Sequence, residues 1–271
     1  MPSPDGIAGV FDRAADTYDD VGVPWFQPIA RGLVDELAVR PGERVLDVGC
    51  GRGAALGPLA EAAGPSGRVL GVDLAPRMVA RTDEDFRDVP QVTVEVGDAA
   101  ALRLEPESFD VVASSLVLFF LPDPAAALRS WVELLVSGGR IGVTTFGDQD
   151  ERWRQIESVF MPYLPPAMLD ARTSGRRGPF ASDEGVHQLF VSAGVRDVRT
   201  AHGTVLARFR DAAHLIQFSW SHGQRAMWEA VPPQEHDRVA AHVTEAFEAI
   251  AEPDGSAAFA QEVRYTLGTR G

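Results

Sequence analysis

Val45-Leu46-Asp47-Val48-Gly49-Cys50-Gly51-Arg52-Gly53 joins a short apolar run to a glycine-rich turn. Residues 44–49 read as a buried strand, and the glycines let the backbone after it approach a ligand closely, at the mouth of an open α/β sheet. A plain tight turn has the same composition. The spacing Gly49, Gly51, Gly53, with Ala54 next, formally matches a dinucleotide fingerprint. Asp47 weighs against that ligand. A carboxylate two residues before the glycines repels a pyrophosphate and tolerates a cationic amino-acid group.

Working outward, further strand-like runs fall at 68–74, 92–96, 109–115 and 140–146, separated by helix-length segments. Short apolar runs with helical crossovers point to a parallel sheet. The second run ends in Gly71-Val72-Asp73-Leu74, placing Asp73 24 residues beyond Gly49. A carboxylate there is set to accept both ribose hydroxyls of a nucleoside. The third is followed by Gly97-Asp98-Ala99, where Asp98 can accept from an adenine amino group. Each acid alone reads equally as a loop or cap residue; three at successive strand ends are harder to dismiss.

Helix signals support this order. Asp123-Pro124 is an N-cap followed by proline, with Leu128, Trp131, Val132 and Leu135 on one face and Gly138-Gly139 as the stop. Ser182 caps a second helix, which Gly194 closes. Residues 195–205 make a sixth strand, 211–252 read as helices, and Val263, Tyr265 and Leu267 alternate with polar residues in a last strand. The stretch 147–179, with Pro162, Pro165, Pro166 and Pro179, reads as irregular cover over the sheet ends.

Composition narrows the chemistry. The 271 residues carry a net charge of −14, with 45% apolar and 24% charged residues, as in an ordinary globular protein. A chain of this length buries roughly 70–75% of its unfolded surface, so no staples are needed. All 25 basic residues are Arg. Without Lys there is no P-loop lysine and no Schiff-base chemistry. The acidic balance argues against nucleic acid as a partner. One Cys excludes an intrachain disulfide and a Cys-based zinc site, and no histidine pair has metal spacing, so no metal is expected. Met1-Pro2-Ser3-Pro4-Asp5 has neither a basic nor an apolar leader region, and no apolar run is long enough to span a bilayer. The expectation is a cytoplasmic protein with no membrane partner. Its oligomeric state is not legible.

Together, residues 45–53, 71–74, 97–99, 109–124 and 137–145 resemble the class I S-adenosylmethionine-dependent methyltransferases. The resemblance is closest to the small-molecule branch of ubiquinone/menaquinone C-methyltransferases and natural-product O-methyltransferases. It covers roughly the first 150 residues, with 182–205 continuing the core. It implies a Rossmann-like α/β fold, a seven-stranded sheet of order 3-2-1-4-5-7-6 with strand 7 antiparallel. It also implies a helical lid over 1–40, a cofactor-binding core over 41–146 and a loop or cap over 147–181. A core helix and strand follow over 182–208, then a helical cap insertion over 209–257 and the final strand over 258–271. The implied cofactor is S-adenosyl-L-methionine, leaving as S-adenosyl-L-homocysteine. Gly49, Gly51 and Gly53 would pass beside its methionine part, Asp73 would bind ribose, Asp98 adenine, and Ser115 would meet the donor. Tyr18 of the lid, Asp47, Cys50, Leu74, Met78 and Ala99 complete the implied cofactor site, Cys50 as a small loop residue and not a nucleophile.

Two departures matter. Ala75-Pro76 follows Asp73 where this branch often has a serine, so a capping hydroxyl is missing. Phe119-Phe120 stands where relatives often carry His-His, which removes possible bases. The phenyl faces can favour a sulfonium by about 0.5–2 kcal/mol, or simply pack the core. Methyl transfer needs alignment and exclusion of water, and a base only if the nucleophile is protonated. The substrate is therefore sought in the cap. Phe119, Phe120, Trp220, His222 and Arg225 form a candidate aromatic pocket with a polar end, although the same Trp-rich segment also reads as a packing helix. His222 is the candidate base, with a pKa in the histidine range, and Arg225 a candidate carboxylate anchor. The expected activity is methyl transfer to oxygen of a small, partly apolar metabolite. N- or C-methylation, a nicotinamide-dependent oxidoreductase and a cofactor-retaining cyclase are the alternatives.

Overall fold

In the computed structural model, residues 6–165 and 178–271 are described. Residues 1–5 and Pro166 of the proline-rich stretch lie outside the described residues. Two helices, α1 (Ile7–Ala14) and α2 (Phe26–Leu37), precede the sheet. The parallel part alternates as the sequence implied through β1 (Arg44–Val48), α3 (Leu56–Ala63), β2 (Arg68–Asp73), α4 (Pro76–Phe86) and β3 (Val92–Val96), but the crossover 97–108 from β3 to β4 (Phe109–Ser115) holds turns and no helix. Then come α5 (Pro124–Glu133), β5 (Leu135–Gln149), α6 (Glu151–Glu157), α7 (Asp183–Ser192) and β6 (Val195–Phe209). The cap helices α8 (Ala212–Trp220), α9 (Arg225–Glu229) and α10 (His236–Glu248) lead to β7 (Ala257–Arg270).

The sheet order is β3-β2-β1-β4-β5-β7-β6. β1 pairs parallel with both β2 and β4, and β7 runs antiparallel between β5 and β6. The central strand β1 has Val45, Leu46 and Val48 fully buried, as expected of a strand covered on both faces. α2 covers one face through Ile29, Leu33 and Leu37, and Trp131 of α5 is fully buried. Such a sheet leaves its ligand crevice at the carboxyl ends of the strands, beside the point where the order reverses around β1.

Asp123 caps α5 as expected, its side chain accepting from the Ala126 amide, and Ser182 caps α7 through the Gly185 amide. Gly138-Gly139 does not end α5. That helix closes at Leu134, whose N–H meets the Trp131 and Val132 carbonyls, and β5 has already begun at Leu135. The two glycines instead occupy a break in register, since β4 pairs Phe109 with Leu135 but Val111 with Arg140. Nor is the stretch after residue 147 irregular throughout. β5 runs on to Gln149, and Asp150 caps the short helix α6, which buries Trp153, Ile156 and Glu157.

Candidate functional site

A cavity of about 800 Å³ opens over the carboxyl ends of β1 to β4. Its floor comes from the loops that the sequence singled out: Gly49 and Gly51 after β1, Asp73 and Leu74 at the end of β2, Asp98 and Ala99 after β3, and Ser115 ending β4. Hydrogen bonds fix these loops. Asp73 Oδ2 accepts from the Gly51 amide and Oδ1 from the Ala75 amide, both at 2.9 Å. Ser114 Oγ donates to the Val48 carbonyl at 2.9 Å, and the Trp131 indole donates to the Ala99 carbonyl at 2.8 Å. The β3 loop is thereby tied to the core of α5.

The glycines have separate reasons. Gly49 has φ +75°, and a methyl group built on it would stand 2.3 Å from Val117 Cγ2. Gly51 has φ +51° with open space where a Cβ would point, so its backbone is bare toward the cavity it lines. Gly53 does not reach the cavity; its Cβ position faces the Phe86 ring at 2.5 Å. Asp47 and Cys50 lie beneath the loop and are not on the cavity wall. Burial pushes the Cys50 thiol well above its ordinary range, in keeping with an inert packing role.

Asp47 is 1% exposed, and its Oδ2 has no hydrogen-bond partner among the described residues. Desolvation, and then the Asp73 charge, push its pKa up to about 7. Asp73 is also raised by burial, against the N–H bonds of Ala75, Gly51 and Leu74. Two carboxylates beneath a glycine-rich loop make a site short of positive charge. Without a ligand, the native state holds a proton on Asp47 that the unfolded chain, with a carboxyl pKa near 3.9, releases. The contribution of this group to stability is therefore full below about pH 4 and is lost as pH rises toward 7. Urea unfolding of the ligand-free protein should show Asp47→Asn flattening this slope, by up to about 1.4 kcal/mol per pH unit. An unchanged slope would mean that Asp47 stays ionised in the fold.

The walls come from elements far apart in sequence. Phe11 and Tyr18 from the N-terminal segment, Phe26 of α2, Phe119 and Phe120 of the turn Leu118–Phe120, and Phe146 of β5 all line the cavity. Phe119 and Phe120 lie 4.6 Å apart, Phe120 meets Phe11 at 5.8 Å, and Tyr18 stacks on Phe26 at 4.5 Å. Burial, then Asp19 and Asp73, hold the Tyr18 phenol well above its usual pKa, so it is neutral. Met78 of α4 adds a thioether to the wall.

His222 lines the cavity between Phe218 and Phe26, at ring distances of 4.3 and 5.7 Å. Its Nδ1–H donates to the Phe218 carbonyl at 2.7 Å, and Nε2 has no hydrogen-bond partner among the described residues. Desolvation moves its pKa down to about 4. That departs from the expected histidine range, because an imidazolium there would be cut off from water. His222 is therefore neutral, with Nε2 as an acceptor.

Trp220 and Arg225 do not join this wall. Trp220 stacks on Trp228 at 5.4 Å, Arg225 lies over the Trp220 ring at 5.3 Å, and Arg225 pairs with Glu229 at 2.9 Å. Packing inside the cap satisfies both. The polar end comes instead from residues that sequence reasoning missed: Gln149, Trp153, Arg154, Glu157, Gln224 and Gln261. Glu157 is buried and accepts from the Gln224 side-chain amide. A Glu four residues after a Trp, on one face of a short helix, was the available signal, hidden by the prolines that follow. A shallower cleft of about 400 Å³, lined by Asp148, Asp150, His202 and Glu262, holds none of the strand-end acids. Among the described residues, no helix is long and apolar enough to cross a membrane.

Residues 46–143 match the family described as "Methyltransferase domain". The nocamycin O-methyltransferase of Saccharothrix syringae is 37% identical over 246 residues, 86% of this chain and 88% of that protein. The aklanonic acid methyltransferase of Streptomyces sp. (strain C5) is 39% identical over 166 residues, 60% of this chain and 76% of that protein. Haemonchus contortus phosphoethanolamine N-methyltransferase 2, solved in complex with S-adenosyl-L-methionine, has a TM-score of 0.58 at 16% identity, covering 99% of this chain and 58% of that one. At that identity the likeness concerns the fold alone.

Proposed function

The chain belongs to the S-adenosylmethionine-dependent methyltransferases, and from that premise we propose that it methylates oxygen on a small, partly apolar metabolite of natural-product biosynthesis, in the cytoplasm. The observation that carries this reading is the single cavity that runs from the strand-end acids to the aromatic wall and His222. The residues fit the cofactor: acids for ribose and amino groups, and a bare glycine backbone at Gly51. Asp73 would accept the ribose hydroxyls, Asp98 the adenine amino group, and the loop 49–51 would carry the methionine part. The bound cofactor supplies an electrophilic methyl on a sulfonium.

The chain's own residues do the rest. Phe119, Phe120 and Phe146 exclude water and present ring faces, which favour a cation by about 0.5–2 kcal/mol. Phe26 and Trp153 give an aromatic substrate surface to lie against, while Glu157 and Gln224 orient its polar end. His222 Nε2 would accept the hydrogen bond of an acceptor hydroxyl, align its lone pair and take up the proton that the oxygen gives up on methylation. The wall, aromatic on one side and amide-rich on the other, suits a ring-bearing substrate with one polar edge.

The test is transfer of label from methyl-labelled S-adenosylmethionine into small-molecule extracts, with the product isolated. A labelled ether or ester supports methylation at oxygen; mild base releases labelled methanol only from the ester. Label fixed on nitrogen or carbon overturns the oxygen reading. Label found in no small molecule overturns the substrate class.

A further inference from the structure

Helix α4 starts at the cofactor floor and lacks a cap of its own. Ala75 occupies its N-cap position and makes no side-chain capping bond. The first amides are served from elsewhere. Asp73 Oδ1 takes the Ala75 amide at 2.9 Å, and Asp12 Oδ1 takes the Arg77 amide at 2.7 Å. Asp12 belongs to α1, 65 residues earlier in the chain. A carboxylate at this position also suits the positive end of the helix dipole.

The contact is one of a set. Arg77 and Arg81 of α4 both pair with Asp16, and the Arg52 guanidinium of the glycine loop donates to the Ala15 carbonyl at 2.6 Å. Arg13 of α1 pairs with Glu229 of α9. The segment so strapped places Phe11 and Tyr18 on the cavity, and α4 places Met78 there, just after Asp73 and Leu74. The segment that covers the cavity is thus the same one that completes the first turn of α4.

We infer that Asp12 is a positioning residue for the cofactor: supplied by the N-terminal segment, it replaces the missing cap of α4 and so couples closure of that segment to cofactor binding. The inference rests on the placement of the cofactor in this cavity. Coupling is reciprocal: a cofactor that favours the closed segment is itself held more tightly when the cap forms.

Isothermal titration with S-adenosylhomocysteine tests this. Asp12→Ala should weaken binding by about 2- to 30-fold, the range that a capping side chain contributes. Asp12→Asn, which caps equally well, should stay within about two-fold of wild type. Hydrogen exchange supplies a readout that a merely structural role would not move. In wild type, S-adenosylhomocysteine should slow the Arg77 amide and the α1 amides together, and in Asp12→Ala this joint protection should be lost. Wild-type affinity in a folded Asp12→Ala variant overturns the inference and leaves the cofactor site standing. Equal weakening by Ala and Asn assigns the effect to charge and overturns the cap. If the wild-type protein binds no S-adenosylhomocysteine, the cofactor placement itself fails, and the coupling with it.

Discussion

Asp73→Ala lowers the affinity for S-adenosylhomocysteine by roughly 10- to 150-fold, from the loss of charge-assisted hydrogen bonds worth about 1.5–3 kcal/mol. The structure points to the upper part of that range. The same carboxylate holds the Gly51 and Ala75 amides, so its removal also loosens the glycine loop and the start of α4. Asp73→Asn keeps an acceptor oxygen and should lose less. Titration calorimetry, with thermal melting as a check on folding, reads both. Unchanged affinity in a folded Asp73→Ala variant would remove Asp73 from the cofactor site, and NADH binding tighter than S-adenosylmethionine would point to a different cofactor.

His222→Phe lowers kcat by about 10²–10⁴-fold if the acceptor is a hydroxyl, while cofactor affinity stays within about two-fold. The lower end is expected, because a base with a pKa of about 4 takes a proton weakly. The lowered pKa also sets the pH profile. Protonation would block Nε2 only as pH falls through about 4, so the wild-type rate should show no histidine limb between pH 5.5 and 8. A limb near pH 6.5 that disappears in His222→Phe would show that the imidazolium is stabilised in the working enzyme and would overturn the lowered pKa. A carboxylate acceptor is already ionised at neutral pH. In that case His222→Phe would turn over within a few-fold of wild type, and the hydroxyl reading would fall.

The contrast between Asp73 and Arg225 shows how far residue patterns reach. Asp73 and Asp98 are legible by position, as residues at the ends of successive apolar runs, and Ser115 through the family resemblance. That arrangement is local, and the parallel sheet then brings such strand ends to one edge as a consequence of its geometry. Arg225 and Trp220 stand out in the sequence by composition alone. Arg, Trp and His within a few residues satisfy a binding wall and a self-packed helix equally well, and here Trp228 and Glu229 provide the packing. His222, from the same segment, does line the cavity, because its ring sits between Phe218 and Phe26, a residue almost 200 positions away in the chain.

By itself the sequence determined the strands, their parallel arrangement, the caps at Asp123 and Ser182, and the acids and glycines at the strand ends. These follow from hydrophobic alternation, backbone freedom at glycine and capping chemistry, all of which act over a few residues. The tertiary structure alone decided which cap residues face the cavity. It brought α6 with Trp153 and Glu157 to the wall, turned Arg225 away, lowered the pKa of His222 and carried Asp12 to the uncapped helix α4. Each of these depends on packing between elements distant in the chain. Desolvation and burial are properties of that packing, and no short stretch of residues encodes them.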